Sequence, residues 1–149
     1  MQSVRTYPLV MLLLALAASY LLNRWVPMHT VVPEIIRYLG AVPVLAAIWI
    51  VLKAGRLFQA RKTTVMPYKQ STVLVTDGFY EKSRNPMYVA MLLFLTGVAW
   101  MLGSATAFLP VPLMYLMLRF RVIAMEEEML EEAFGEEYLE YKRKVRRWL

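Results

Sequence analysis

Three uncharged apolar runs, separated by polar and basic stretches, organise this chain, and their lengths set the elements. The first lies between Arg5 and Arg24, 18 residues centred on LVMLLLALAASYLL. Ala15-Leu16-Ala17 mimics a signal-peptide cleavage site, but further apolar runs follow and the first is read as a span. The second, Tyr38 to Leu52, sits between Arg37 and Lys53. It is short against the ~20 residues that cross a bilayer, so both cations are expected to snorkel outward along their stems. Charge is then absent from Asn85 to Leu118, 34 residues. One straight helix of that length would be roughly 50 Å long, well beyond a hydrocarbon core of ~30 Å. Gly103-Ser104 near its middle therefore predicts a hairpin of two short helices, Met87–Leu102 and Ala105–Leu118, with Pro110 and Pro112 kinking the second. The pattern predicts an all-α integral membrane protein, a single domain 1–149, with four spans at about 8–23, 38–52, 87–102 and 105–118 and helical C-terminal residues beyond them.

Composition strengthens this picture. A hydrophobic fraction of 59% exceeds that of ordinary soluble domains, and the blocked apolar runs suit lipid as solvent, where helices satisfy every backbone polar group internally. Without cysteine, disulfides, thiolate nucleophiles and cysteine metal sites are excluded, and the single histidine, His29, builds no His-rich metal site. The net charge of +6 flanks apolar runs, which points to anionic lipid headgroups rather than nucleic acid as partner.

The loop after the second run carries Lys53, Arg56, Arg61, Lys62, Lys69, Lys82 and Arg84, whereas the Gly103 turn carries no lysine or arginine. By the positive-inside rule, that loop and both termini face the cytosol. Trp25, Tyr38 and Trp100 then mark the outer interface and Tyr7 and Trp49 the inner one. The membrane in question is expected to be a bacterial or archaeal plasma membrane.

Chemistry is confined to the cytosolic parts, 60–86 and 119–149. In Ser83-Arg84-Asn85-Pro86-Met87-Tyr88, asparagine is a favoured N-cap and proline a favoured first helical residue, so a helix starts there. Its N-terminus suits a carboxylate or phosphate, with Arg84 as an adjacent cation; a plain helix start with a snorkelling arginine fits equally. On a wheel centred on Glu126, at ~100° per residue, Val122, Ile123, Met129, Leu130, Ala133 and Phe134 fall on the same face. Glu127 falls on its edge, Glu128, Glu131 and Glu132 opposite, and Arg119, two turns earlier, on the Glu126 side. A carboxylate amid an apolar stripe is paired or lines a cavity. Arg84 or Arg119 is its candidate partner. Lys142, Arg143, Lys144, Arg146 and Arg147 read as a headgroup-binding and helix-end cluster.

The stretches LVTDGFYEKSRNPMYVAMLLFLTG and EEEMLEEAFGEEYLEYKRKVRRW resemble the isoprenylcysteine carboxyl methyltransferase and phospholipid methyltransferase superfamily over roughly residues 63–149. One shared motif runs from Gly78 to Tyr88, the other from Glu126 to Tyr141. The resemblance implies a membrane enzyme that binds S-adenosylmethionine, and releases S-adenosylhomocysteine, in a cytosolic pocket between the segment before the hairpin and the helix after it. A lipophilic acceptor would enter from the bilayer. By position, Leu74, Val75 and Gly78 should contact the adenosine part, and Tyr80, Arg84, Asn85 and Tyr88 the methionine part. Glu126 and Glu127 match the family's glutamate pair near the ribose or amino group. Glu126, Arg84 and Glu127 are the candidate catalytic residues. The isoprenylcysteine branch has histidine where Asn85 stands, and asparagine does not titrate near neutral pH. The acceptor stays open among a prenylcysteine-like carboxylate, a phospholipid amine and a small thiol. The alternatives are a non-catalytic four-helix membrane protein with the same fold and, more remotely, a nicotinamide-dependent reductase.

Overall fold

A computed structural model describes residues 7–60 and 73–149. Arg5, Arg61, Lys62 and Lys69, and with them much of the 60–86 segment, lie outside the described residues. The elements are helices: α1 (Pro8–Trp25), α2 (Ala41–Ala60) led by a 3-10 turn at Glu34–Gly40, α3 (Pro86–Leu102), α4 (Pro110–Met117) led by a 3-10 turn at Ala105–Phe108, α5 (Ile123–Phe134) and α6 (Glu136–Lys144). A further 3-10 turn, Gly78–Glu81, precedes α3. Among the described residues the one β feature is an isolated bridge between Thr30 and Ser104.

Among the described residues, three helical runs are long and apolar enough to cross a membrane: Pro8–Trp25, Glu34–Ala60 and Ala105–Phe134. α3 is equally apolar but has 17 residues, about 25 Å at ~1.5 Å per residue. The second run is thus longer than the apolar stretch 38–52 suggests, because the 3-10 turn and the turns after Lys53 continue it at both ends. The fourth expected span does not end at 118. It passes through a π-turn at Leu118–Val122 straight into α5.

Proline starts α1, α3 and α4, in each case at the first helical position, where its missing N–H costs no hydrogen bond. Pro110 and Pro112 therefore both sit in the first turn of α4, where the run passes from 3-10 to α geometry. Gly103 closes α3 at φ +85, a left-handed conformation cheap only for glycine, and its N–H donates to Ala99 O at 3.0 Å.

α2 lies along α3 at very short range. A Cβ on Gly97 would sit 2.6 Å from Gly40 O, and one on Gly40 2.5 Å from Gly97 O. Such close backbone approach through small residues is how helices associate in lipid. On the other side of α3, Leu95 packs with Met114, Leu118, Val122 and Ile123, and with Met11, Leu12, Ala15 and Leu16 of α1. The outward faces of α1, α2 and α4, including Leu9, Leu13, Leu14, Val42, Leu45, Leu113 and Leu116, are exposed. In lipid that is the stable arrangement.

The π-turn adds a residue to one helical turn, so positions on either side of it lose the phase an unbroken wheel assigns. Arg119 accordingly does not share the face of Glu126. It is exposed, donates to Tyr115 Oη at 2.9 Å and lies 5.3 Å from the centre of the Phe120 ring.

Gly97→Ala should destabilise the protein by about 1–3 kcal/mol, the usual range for overpacking. Gly55→Ala, in α2 with open space around it, should be neutral or stabilising by up to about 1 kcal/mol. Thermal unfolding of the two variants in detergent checks both, and equal midpoints would refute the close crossing.

Candidate functional site

The start of α3, the front of α5 and the last residues of the chain converge at one end of the bundle. Pro86 takes the first position of α3 as expected, with Asn85 at its cap position, but the Asn85 side chain makes no cap. Its Nδ2 donates instead to Arg147 O at 2.9 Å, while its own N–H donates to Ser83 Oγ at 3.1 Å. One residue earlier, the Arg84 N–H donates to Arg146 O at 2.9 Å. The C-terminal strand of chain after α6 is thereby tied along the Arg84-Asn85 backbone.

Glu127 is the buried carboxylate of this end, 6% exposed. Arg147 meets it with two nitrogens, Nε to Oε1 at 3.0 Å and NH2 to Oε2 at 2.6 Å, the bidentate geometry that strengthens guanidinium–carboxylate pairs. Arg84 NH1 adds a third contact at 3.0 Å to Oε1 and donates to Tyr138 Oη at 3.2 Å. Arg84 Nε is buried without a hydrogen-bond partner. The hydrogen bonds to Glu127 push the Arg147 guanidinium up. Burial pushes the phenols of Tyr138, Tyr80 and Tyr141 up, so each keeps its proton at neutral pH.

Glu126, next in the helix, faces a different partner. The Tyr88 hydroxyl donates to its Oε1, and no arginine among the described residues pairs with it. The helical wheel placed Glu126 centrally and Glu127 at the edge, and the structure corrects the second placement. Glu127 is the more buried of the two, because the returning C-terminal residues cover an edge that a single helix leaves open. Of the glutamates assigned to solvent, Glu128 and Glu132 are exposed, whereas Glu131 is half-buried and pairs with Lys142.

A cleft of about 410 Å³ opens between the segment before α3 and α6, lined by Leu74, Thr76, Glu81, Glu137, Glu140, Tyr141, Lys144 and Val145. That volume lies within the ~300–1,000 Å³ of ordinary small-molecule sites. Tyr141 links the cleft to the buried cluster, since its hydroxyl donates to Tyr80 O at 2.7 Å. Gly78, at φ +63, donates its N–H to Glu81 Oε1 at 3.1 Å, which orients that carboxylate. Leu74 lines the cleft, but Val75 does not: it is buried against Ala54 and Tyr80. Tyr80 itself stacks edge-on with Phe58.

The sequence-derived residues thus divide into three groups. Leu74 lines the cleft, Gly78 and Tyr80 are joined to it through Glu81 and Tyr141, and Val75 is buried behind it. Glu126 and Tyr88 form a hydrogen-bonded pair. Arg84, Asn85 and Glu127 are engaged by the chain's own Arg146 and Arg147. Sequence reasoning missed Glu137, Glu140, Tyr141 and Arg147 as site residues. The tyrosine stood in the quoted motif, but Arg147 was absorbed into a headgroup-binding cluster.

Removing one partner of a buried pair costs about 3–5 kcal/mol, so Glu127→Ala should lower the unfolding midpoint sharply. Arg147→Ala should cost less, because its side chain is 35% exposed. Thermal unfolding in detergent measures both. A larger loss for Arg147→Ala than for Glu127→Ala would refute the network as described.

Residues 35–137, more than two thirds of the chain, match the family model for phospholipid methyltransferases. An uncharacterized protein of Haemophilus influenzae is 46% identical over 63 residues, 42% of this chain and all of that one. A protein-S-isoprenylcysteine O-methyltransferase of Schizosaccharomyces pombe is 34% identical over 73 residues, 49% of this chain but 31% of that enzyme. No solved structure matches. The two motifs, Gly78–Tyr88 and Glu126–Tyr141, frame the cleft and the buried pairs just described. The chain belongs to the phospholipid methyltransferase family of membrane methyltransferases.

Proposed function

We propose that this protein transfers a methyl group from S-adenosylmethionine to a lipophilic, membrane-borne acceptor, with the cofactor held in the cleft between residues 74–81 and α6. The observation that carries the proposal is the lining of that cleft. Three carboxylates, a phenol and two apolar side chains meet there, and the phenol, Tyr141, bonds the Tyr80 carbonyl. The donor set fits the cofactor. Its sulfonium and ammonium are cationic and its ribose carries two hydroxyls, which suits Glu137, Glu140 and Glu81, while Leu74 and Val145 offer apolar surface to the adenine. Lys144, 3.6 Å from Glu140, is a cation within reach of the methionine carboxylate.

S-adenosylmethionine supplies an activated methyl group that leaves sulfur by in-line displacement. The chain's own residues align and desolvate. Glu127, clamped by Arg84 and Arg147, fixes the start of α3 against α5 and so sets the spacing between Tyr88 and Glu126. Arg84, Asn85 and Glu127 thereby act as positioning residues, and Glu126 with Tyr88 is the pair that faces the reacting groups. Positioning of this kind supplies much of the rate in a displacement, and a dry site strengthens each electrostatic contact. An amine or thiol acceptor must lose a proton, and Glu126 is the group to accept it. A carboxylate acceptor needs no base. The four-span topology, both termini on the cytosolic side and a bacterial or archaeal plasma membrane complete the proposal, with α3 as a short third span.

Calorimetric titration with S-adenosylhomocysteine in detergent tests the cleft. The parent should bind, and the Glu137→Gln/Glu140→Gln double variant should bind about ten-fold or more weakly, given ~1.5–3 kcal/mol per hydrogen bond to a charged group. A folded parent that binds no S-adenosylhomocysteine would favour the non-catalytic reading, and binding of NADPH instead would favour a reductase. Labelled cofactor with membrane lipid extract then identifies the acceptor. On an amine or thiol, Glu126→Gln should slow methyl transfer by about 10²; on a carboxylate it should leave turnover within a few-fold of the parent.

A further inference from the structure

The opposite end of the bundle is also built around an arginine. From Tyr88 to Leu102 is about 21 Å along α3 at ~1.5 Å per residue, so this end is remote from the cleft. There the loop after α1 is stitched to the α3–α4 turn by backbone hydrogen bonds. Val31 N and Val32 N donate to Gly103 O at 2.9 and 3.2 Å, and Ala105 N donates to His29 O at 3.1 Å. Arg37 lies directly on this turn. A Cβ on Gly103 would sit 2.5 Å from Arg37 Nε, so glycine there makes room for the guanidinium. Nε donates to Val32 O at 3.3 Å, which orients the group. Its terminal nitrogens have no acceptor among the described residues, and no carboxylate among them lies within ion-pair distance.

Arg37 borders a cavity of about 360 Å³ lined also by Asn23, His29, Thr30 and Ser104. That is a guanidinium, an imidazole, an amide and two hydroxyls around one space with no carboxylate in it. α3, at about 25 Å, ends short of a ~30 Å hydrocarbon core, so the turn and Arg37 are drawn toward the hydrocarbon edge. An arginine at that depth without a counter-charge is costly. Around it, exposed Trp25 and Tyr38 match the aromatic composition of a membrane–water interface.

We propose that this cavity binds the phosphate of a lipid headgroup, with Arg37 as its principal contact and Asn23, His29 and Thr30 as flanking donors. The site is separate from the cofactor cleft and does not rest on the methyltransferase reading. It anchors the far end of the bundle at a fixed depth, where a short α3 alone would leave it free to shift.

Thermal unfolding of the full chain in detergent, titrated with phosphatidylglycerol, diacylglycerol or inorganic phosphate, tests the proposal. Phosphatidylglycerol should raise the midpoint by several degrees at saturation, and diacylglycerol, which lacks the phosphate, should not. Arg37→Gln should weaken the phosphatidylglycerol response at least ten-fold, whereas Arg24→Gln, outside the cavity lining, should keep it. If Arg37→Gln fails to fold, the Asn23→Leu/Thr30→Val double variant replaces it and should weaken the response at least three-fold. A matching response to inorganic phosphate, lost in the same variants, would support the phosphate site with a water-borne source. Equal responses to phosphatidylglycerol and diacylglycerol, or unchanged responses in these variants, would overturn it.

Discussion

Burying a carboxylate costs several kcal/mol unless cations and donors meet it, and Glu127 is met by two arginines from distant parts of the chain. Arg84 comes from the turn into α3 and Arg147 from the residues after α6. Because one side chain binds both, three segments that are far apart in sequence are held in one register. The backbone hydrogen bond from Arg84 N to Arg146 O and the side-chain bond from Asn85 to Arg147 O follow from that register. So does the packing of Trp148, which reaches the core cluster and lies against Tyr115. The cleft exists because α6 is pinned at this end while the segment 73–81 is pinned by Val75 and Tyr80 against α2.

This division of labour separates structure from chemistry among residues of the same type. Glu126 and Glu127 are neighbours in sequence, yet one bonds a phenol and the other two guanidiniums. Clamping Glu127 leaves Glu126 half-buried and, among the described residues, without a cationic partner, bonded to the Tyr88 hydroxyl. A similar contrast holds for the arginines. Arg84 and Arg147 are bound by protein groups, while Arg37, at the other end of the bundle, has one nitrogen engaged among the described residues.

Much of the architecture was legible because lipid imposes simple rules. Uncharged runs gave α1, α3 and the start of α4 to within a few residues, and Asn85-Pro86 marked the head of α3. What escaped notice depended on contacts that a linear pattern does not carry. The apolar run 38–52 hid the true length of its helix, since helix propensity and packing extend it past Lys53 on one side and through Glu34–Gly40 on the other. The π-turn at Leu118–Val122 removed Arg119 from the Glu126 face. Glu127 looked marginal on a wheel, because nothing in the wheel shows Arg147 returning over it. Charged residues at the C-terminus resembled a headgroup cluster for the same reason: only the fold distinguishes a solvated arginine from one bound to a buried carboxylate.

Photochemical crosslinking tests the central claim, an S-adenosyl nucleotide in the cleft between residues 74–81 and α6, most directly. Ultraviolet irradiation of the purified protein with methyl-labelled S-adenosylmethionine, followed by peptide mapping, should place label on peptides from 73–81 or 136–145, with Tyr141 the favoured acceptor, and excess S-adenosylhomocysteine should abolish it. Label confined to other helices, or label that S-adenosylhomocysteine does not displace, would contradict the account.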